Sequence, residues 1–181
     1  LDQVLRGVRN DLDEEDLDTT GKGEHLVTPQ TFKSRQAEYQ HIKNEEIPEN
    51  SEAIGRAAAM GDLSENAEYD SAKERQKILF RRLESLEDLL QRARIIDPAD
   101  IVTDEIGFGT SFQIKNLDNG EIEDYTLLGI WDADPDNNVL SYLTPFGRQF
   151  LKRKAGDMLV VVRPGGGSTQ YKVLEIKNAL R

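Results

Sequence analysis

Apolar residues return every three or four positions along two long stretches of this chain. In the first, Phe32, Tyr39 and Ile42 keep near-heptad spacing, and Ile47, Ile54 and Ala57–Ala59 extend the seam less regularly. In the second, Leu79, Leu83, Leu86, Leu90 and Ala93 alternate by four and three. A repeat near 3.5 residues places one apolar stripe along a helix. Thr28-Pro29 supplies a start, with Thr as N-cap and Pro at the first helical position. Pro48 removes one backbone hydrogen bond and crowds the preceding turn, which predicts a kink or short break. The pattern therefore predicts one helix over 28–60 and a second over 63–96, with Pro98 beyond its end. Gly61 between them reads as a stop and a restart. Two striped helices joined by a tight reversal predict an antiparallel coiled-coil hairpin over 28–98, on the order of 45 Å long. Arg81, Arg82, Glu84 and Glu87 read as its solvated flanks.

From Ile101 the pattern changes. Thr110–Lys115, Asp124–Ile130, Val139–Leu143, Met158–Arg163 and Gln170–Ile176 are rich in β-branched, aromatic and aliphatic residues and read as strands. Asp118-Asn119-Gly120 and Gly165-Gly166-Gly167 read as hairpin turns, and Thr144-Pro145 as the cap of a short helix reaching about Leu151. This predicts a second domain over 99–181, a small antiparallel sheet with one helix, and an α+β fold class for the whole. Residues 1–27 have a short amphipathic piece (Val4, Leu5, Val8) and then the acidic run Asp11-Leu12-Asp13-Glu14-Glu15-Asp16. That composition reads as an acidic linker or tail, or as the end of a preceding domain in a larger protein. The chain begins with Leu1, which fits a fragment or a processed product.

Charge narrows the chemistry. The 181 residues carry a net charge of −11, which argues against a broad affinity for the nucleic-acid backbone. Cysteine is absent, removing disulfides, thiolate metal sites and thiol nucleophiles. No apolar run approaches the ~18–20 residues that span a bilayer, and nothing at the start reads as a signal peptide. The expectation is a cytoplasmic protein with no membrane partner. His25 and His41 are the two histidines, both away from the reversal, and no Ser/His/Asp constellation is visible. The chain by itself is not expected to be an enzyme.

The reversal carries the candidate chemistry: Met60-Gly61-Asp62-Leu63-Ser64-Glu65-Asn66-Ala67-Glu68-Tyr69. Glu65 and Glu68, three apart, share a helix face, with Asp62 at the helix start beside them. Asp62 is also a good N-cap, and Glu65 three residues on completes an arrangement like a capping box. The two roles coexist, because a cap fixes a carboxylate's direction. Burying three acids together would cost several kcal/mol unless they were paired, so this end of the hairpin belongs in solvent. Carboxylates there suit Mg²⁺, which takes oxygen ligands and keeps several waters. Two carboxylates alone hold it weakly, so another molecule must supply the remaining ligands.

Gly61 through Tyr69 resembles the tip motif of the Gre family of bacterial transcript-cleavage and elongation factors, its GreA-like members in particular. The resemblance extends from about Thr28 to the C-terminus. It includes Arg94-Ile95-Ile96-Asp97 at the expected end of the second helix, Leu143-Thr144-Pro145-Phe146-Gly147-Arg148, and Gly156-Asp157. It implies an FKBP-like fold for the C-terminal domain. It also implies a partner, bacterial RNA polymerase, whose secondary channel the hairpin enters when the enzyme has backtracked. There the tip would help to bind a second Mg²⁺, shared with the polymerase active site, and the polymerase would cleave the displaced nascent RNA 3′ end. By that likeness Asp62 and Glu65 are the catalytic and metal-binding residues. Gly61, Leu63, Ser64, Asn66, Glu68 and Tyr69 position the tip. Arg56, Lys73 and Arg75 are the basic residues nearest the RNA, with Lys77 nearby. Ala57–Ala59 and Ser64 stand where relatives often carry cations, which implies action on short extruded fragments. Leu143, Thr144, Pro145, Phe146 and Arg148 are the implied docking contacts on the channel rim.

Two other functions remain open at this point. One is a Gre-like protein that occupies the same channel and inhibits; such proteins depart from the tip motif, and this tip is intact. The other is an FKBP-like prolyl isomerase or chaperone, with Phe108, Phe112, Tyr125 and Trp131 lining a proline groove, although aromatics in a small sheet domain are more simply its packing.

Overall fold

The computed structural model describes residues 23–59 and 67–181. They form two compact units, one within residues 32–92 and one combining residues 23–31 with Ala93–Arg181.

The helical unit has two limbs. The first is α1 (Pro29–His41), a π-helical turn (Ile42–Glu46) and α2 (Ile47–Ala58), running on without a break. Thr28 caps it as the sequence predicts, its hydroxyl accepting the Thr31 N–H at 3.1 Å. Pro48 breaks nothing. The distortion it requires lies one turn earlier, where the Ile47 N–H reaches back five residues to the Ile42 carbonyl. A widened turn there relieves the proline ring of the carbonyl it would otherwise strike.

The second limb is α3 (Ala67–Arg92). Cross-limb bonds pair Glu38 with Arg82, Glu46 with Arg75 and Asn50 with Ala72, one number falling as the other rises, so the limbs are antiparallel. Ile42, Leu79 and Leu86 are buried between them, with Tyr39, Ile47 and Leu83 packed alongside. Arg82, expected in solvent, donates through Nε to Glu38 Oε1 at 2.8 Å. Burial raises the Glu38 pKa, but the guanidinium groups of Arg82 and Arg35 outweigh it and hold the carboxyl below its usual range.

The predicted end of the second helix is corrected by the structure. The helix stops at Arg92, and Ala93–Ile95 is a strand, β2, paired in parallel with β1 (His25–Val27). Residues 25–27 are consequently not tail but buried strand, and Ala93 is no part of the helical seam. Leu26 and Ile96 enter the core of the sheet unit, and the Ile96 N–H donates to the Val27 carbonyl at 3.1 Å. The base of the hairpin, placed by sequence in a domain over 28–98, thus groups with the sheet.

The main sheet has five strands: β3 (Thr110–Asn116), β4 (Ile122–Leu128), β5 (Val139–Ser141), β6 (Met158–Val162) and β7 (Ser168–Asn178), in the order β5-β4-β3-β7-β6. The strands fall where sequence places them, but the sheet is mixed, because β4 and β5 run parallel. The connection between them folds through a 3₁₀ turn at Pro135–Asn137, with Asn138 left-handed at φ 57°, and brings the chain back in the direction of β4. Alternate residues face one side: Phe112 and Ile114 from β3, Tyr125 and Leu127 from β4, Leu159 and Val161 from β6, Tyr171 and Val173 from β7. Leu174 is an unopposed residue between the Gln113–Glu175 and Ile114–Val173 pairs, a bulge that adds twist.

A short helix, α4 (Pro145–Arg148), follows the Thr144 cap and continues as tight turns to Leu151. It delivers Phe150, fully buried, onto Phe112 and Tyr125 at ring separations of 5.2 and 5.8 Å. Among the described residues no helix is long and apolar enough to cross a membrane.

Thr28 also donates its hydroxyl to Asp132 Oδ1 at 2.9 Å, and the Thr31 hydroxyl donates to the same oxygen. One carboxylate from the β4–β5 connection thereby ties down the first turn of α1, where negative charge is favoured by the helix dipole. Thr28→Ala loses the cap and one of these bonds, and is expected to cost about 1–2 kcal/mol. Thr28→Ser keeps both groups and should recover most of it. Urea unfolding of the two variants measures the difference.

Candidate functional site

The residues expected to carry the chemistry are divided by the structure. Gly61, Asp62, Leu63, Ser64, Glu65 and Asn66 lie outside the described residues. Glu68 is exposed and Tyr69 half-buried on the first turn of α3.

The expected basic residues do not converge. Arg56 reaches Glu52 at 3.6 Å, and Arg75 reaches Glu46 at 3.4 Å across the limbs. The Lys73 ammonium donates to Gln76 Oε1 at 2.9 Å. Lys73 and Arg75 are two positions apart on one helix, so their side chains leave it roughly 160° apart. They do not form one track for an RNA strand.

The expected docking residues do come together. Thr144 Oγ1 accepts the Gly147 N–H at 3.1 Å and donates to the Ser141 carbonyl at 2.8 Å, fixing the start of α4. Gly147 is required here, because a Cβ would lie 2.2 Å from the Ser141 carbonyl oxygen. Pro145 is left exposed, while Leu143 and Arg148 are half-buried. Phe146 packs edge-on against Phe150 at 5.4 Å and Tyr125 at 6.1 Å, so it supports the core as well as the surface.

Beside this loop lies a groove of about 750 Å³, lined among others by Val139, Leu140, Pro145, Phe146, Val162 and Pro164. It opens between the two edge strands of the sheet. Gln149 borders it with its amide on the edge of β6, accepting the Val162 N–H at 2.7 Å and donating to the Val162 carbonyl at 3.0 Å. That amide occupies the place a further strand would take at Val162.

A polar cluster near the same groove was not legible in the sequence. Glu123 accepts from the Tyr125 hydroxyl at 2.7 Å, from the Tyr171 hydroxyl at 2.8 Å and from Arg163 at 2.7 Å. Burial raises the Glu123 pKa, yet these donors overcome it and leave the carboxyl below its usual range. Burial and the neighbouring Glu123 push Tyr125 up to about 12.

A carboxyl depressed on folding stabilises the fold above its unfolded pKa, and that contribution disappears as pH falls through the lower folded value. A raised phenol stabilises below its unfolded pKa, and its contribution is lost as pH rises through about 12. Stability of the parent protein should therefore fall off at both the acid and the alkaline ends. Glu123→Gln should flatten the acid limb in a pH series of urea unfolding curves. An acid limb unchanged in the variant would remove Glu123 from that role.

The aromatic residues considered for a proline groove are placed otherwise. Phe108, Phe112 and Tyr125 are buried in the core, and Trp131 is half-buried beside the start of α1, lining a separate hollow with Thr28 and Asp132. They do not line one open groove.

Two antiparallel helical limbs and a small mixed sheet, the sheet presenting an apolar groove beside a proline loop, make a two-part α+β protein. Two family profiles match in sequence order: the N-terminal domain of transcription elongation factors over residues 25–95, and the C-terminal domain of the GreA/GreB transcription elongation factors over 101–178. The chain is similar to transcription elongation factor GreA of Treponema pallidum (strain Nichols), 38% identical over 154 residues covering 85% of this chain and 94% of that protein. It is 38% identical over 150 residues to GreA of a Nitratiruptor species, covering 83% and 91%. GreA of Borreliella burgdorferi is 43% identical over 134 residues, which are 74% of this chain and 15% of that longer protein. The chain belongs to the GreA/GreB family of transcription elongation factors.

Proposed function

We propose that this protein binds bacterial RNA polymerase, extends its hairpin tip through the secondary channel, and stimulates the polymerase's own cleavage of backtracked nascent RNA, rescuing arrested complexes. The observation that carries this reading is the sequence Gly61-Asp62-Leu63-Ser64-Glu65-Asn66-Ala67-Glu68-Tyr69 at the reversal between two antiparallel limbs in a chain of this family. In this reading the limbs are a coiled coil, with Ile42, Leu79 and Leu86 in its seam, and the sheet domain is FKBP-like. The protein acts in the cytoplasm as an activating cofactor for another enzyme.

Asp62 and Glu65 provide hard carboxylate oxygens, the donor type Mg²⁺ takes. When shared with the polymerase site, that ion supplies charge stabilisation and a polarised water for phosphodiester hydrolysis. Gly61 suits a reversal of the chain, and Glu68 and Tyr69 lie on the first turn of α3. Arg56, Lys73 and Arg75 bond within the helical limbs, and Lys73 and Arg75 leave α3 in different directions. This favours a weak hold on short extruded RNA.

The reading is tested by RNA cleavage in stalled, backtracked elongation complexes, with and without the protein. Shortened transcripts with released 3′ fragments are expected. Slowed elongation with no cleavage would mean inhibition from the same channel.

In this reading the sheet domain contributes binding through Pro145 and its neighbours. Since Phe146 also packs on Phe150, the docking test uses Pro145 alone. Pro145→Asp should weaken competition for polymerase by about tenfold, the scale of ~1.4 kcal/mol, and leave the unfolding midpoint almost unmoved. Undiminished competition would remove the loop from docking.

A further inference from the structure

The groove beside α4 is apolar along its floor. Val139, Leu140, Phe146 and Val162 line it, with Arg163, paired to Glu123 at 2.7 Å, on the rim. The run that continues from α4 adds Arg148, Lys152, Arg153 and Lys154 within seven residues, in a protein of net charge −11. Three carboxylates accompany them. Asp104 and Glu105 precede Ile106, which exchanges backbone bonds with Lys152 and Arg153 at 2.8 and 2.7 Å, and Asp157 accepts the Lys154 backbone N–H at 2.8 Å. Among the described residues, Lys152, Arg153 and Lys154 are exposed and none has its side chain in an ion pair.

The chain carries a complement to this surface ahead of its first described residue, Gly23. Leu1, Val4, Leu5 and Val8 recur at the spacing that places anchors on one face of a helix. Five carboxylates follow within Asp11–Asp16. The order, apolar anchors and then acids, complements an apolar groove and the exposed cations Lys152, Arg153 and Lys154 that follow α4 in the chain. With residues 1–18 seated, the five residues from Asp18 to Gly23 form a tether of up to about 17 Å.

We infer that the chain's own N-terminal segment, residues 1–18, docks on this groove, its apolar anchors against Val139, Leu140, Phe146 and Val162 and its acidic run against the cations after α4. Tethering supplies an effective concentration in the millimolar range, so a contact too weak to form between separate molecules is populated within one. Exposed ion pairs are screened by salt, so the contact loosens as ionic strength rises. The consequence for function rests on the proposed docking role of Pro145: the segment and the polymerase would compete for one surface, and the segment would restrain binding until displaced.

The test uses the full chain and a variant with Val4→Asp, Leu5→Asp and Val8→Asp, both with labelled Leu and Val methyl groups. The resonances of Val139, Leu140 and Val162 are expected to differ between the two proteins, while those of Val161 and Val173 in the core stay fixed. Added salt should move the parent's groove resonances towards the variant's. Identical groove spectra would overturn the inference. Differences that grow with protein concentration would overturn it too, since the occupant would then be another copy's segment.

In competition for polymerase the variant should bind about threefold more tightly, as expected if roughly one third of the parent molecules have the groove open. The spectra report the docking without polymerase, so the two readings fail separately. Altered groove spectra with unchanged polymerase affinity would uphold the segment's docking and count against the docking role of Pro145.

Discussion

Asp62→Asn and Glu65→Gln are each expected to lower stimulated RNA cleavage by about a hundredfold or more while leaving the fold almost unchanged. On the capping that their spacing in the sequence predicts, both substitutions keep the local hydrogen bonding. Asn ranks with Asp as an N-cap, and Gln completes a capping box as Glu does. What each removes is one negative charge. At the start of a helix that charge contributes about 0.3–1 kcal/mol through the helix dipole, so the thermal midpoint should hardly move. As a metal ligand acting on a transition state, the same carboxylate is worth several kcal/mol, and each ~1.4 kcal/mol is a factor of ten in rate. Binding to polymerase should survive in both variants, and excess Mg²⁺ should restore part of the activity. Cleavage assays on backtracked complexes, alongside thermal melts, separate the roles. Full cleavage by the double variant would leave the two acids as caps and end the mechanism.

Phe150→Ala is expected to be the most destabilising single change in the sheet unit. Its ring is fully buried and meets Phe112 at 5.2 Å, Tyr125 at 5.8 Å and Phe146 at 5.4 Å. Truncation removes the ring's burial and leaves a cavity that the surrounding strands and α4 close only in part, a loss of about 3–5 kcal/mol. For a unit near 100 residues that lowers the melting midpoint by roughly 15 °C or more. Phe146 loses its edge-on partner at the same time, so the groove floor loosens and polymerase binding should weaken even below the midpoint. Phe150→Leu keeps most of the volume and should cost about 1–1.5 kcal/mol. Calorimetry of both variants checks the pair. A Phe150→Ala midpoint within a few degrees of the parent would show that the aromatic cluster is not what holds α4 on the sheet.

Within the helical unit, the sequence was informative where the signal lay among close neighbours. The four-and-three alternation of Leu79, Leu83 and Leu86 identified the buried stripe, and Thr28-Pro29 marked the first helix to the residue. Pro48 was read as a kink or short break, and the structure shows a π turn at Ile42–Glu46 that absorbs it without ending the helix. Asn50 and Arg82 carried no signal at all. Their partners, the Ala72 carbonyl and Glu38, are 22 and 44 positions away.

The candidate site divides in the same way. The tip's expected chemistry rests on nine consecutive residues of the sequence alone, since Gly61 to Asn66 lie outside the described residues. The capped start of α4 was legible because Thr144 and Pro145 are adjacent. The Glu123 cluster was not, since Arg163 and Tyr171 lie 40 and 48 positions from the carboxylate they hold. Asp132 was not either, because its hydroxyl partners precede it by 104 and 101 positions. Nothing local distinguishes an acid that anchors a distant helix from one that faces water.

What the amino-acid sequence determined by itself was the kind of most of the longer elements. Helix stripes, strand alternation, caps and turns are set by residues within a few positions of one another, where backbone preference and side-chain spacing act directly. The tertiary structure decided which elements meet. It withdrew Ala93–Ile95 from the helix by offering His25–Val27 as a strand partner, turned β5 parallel to β4, brought Asp132 to the first turn of α1, and opened an apolar groove between two edge strands. A strand of three residues has too little pattern to announce itself. It becomes a strand only when a distant backbone supplies the hydrogen bonds that its own neighbours cannot.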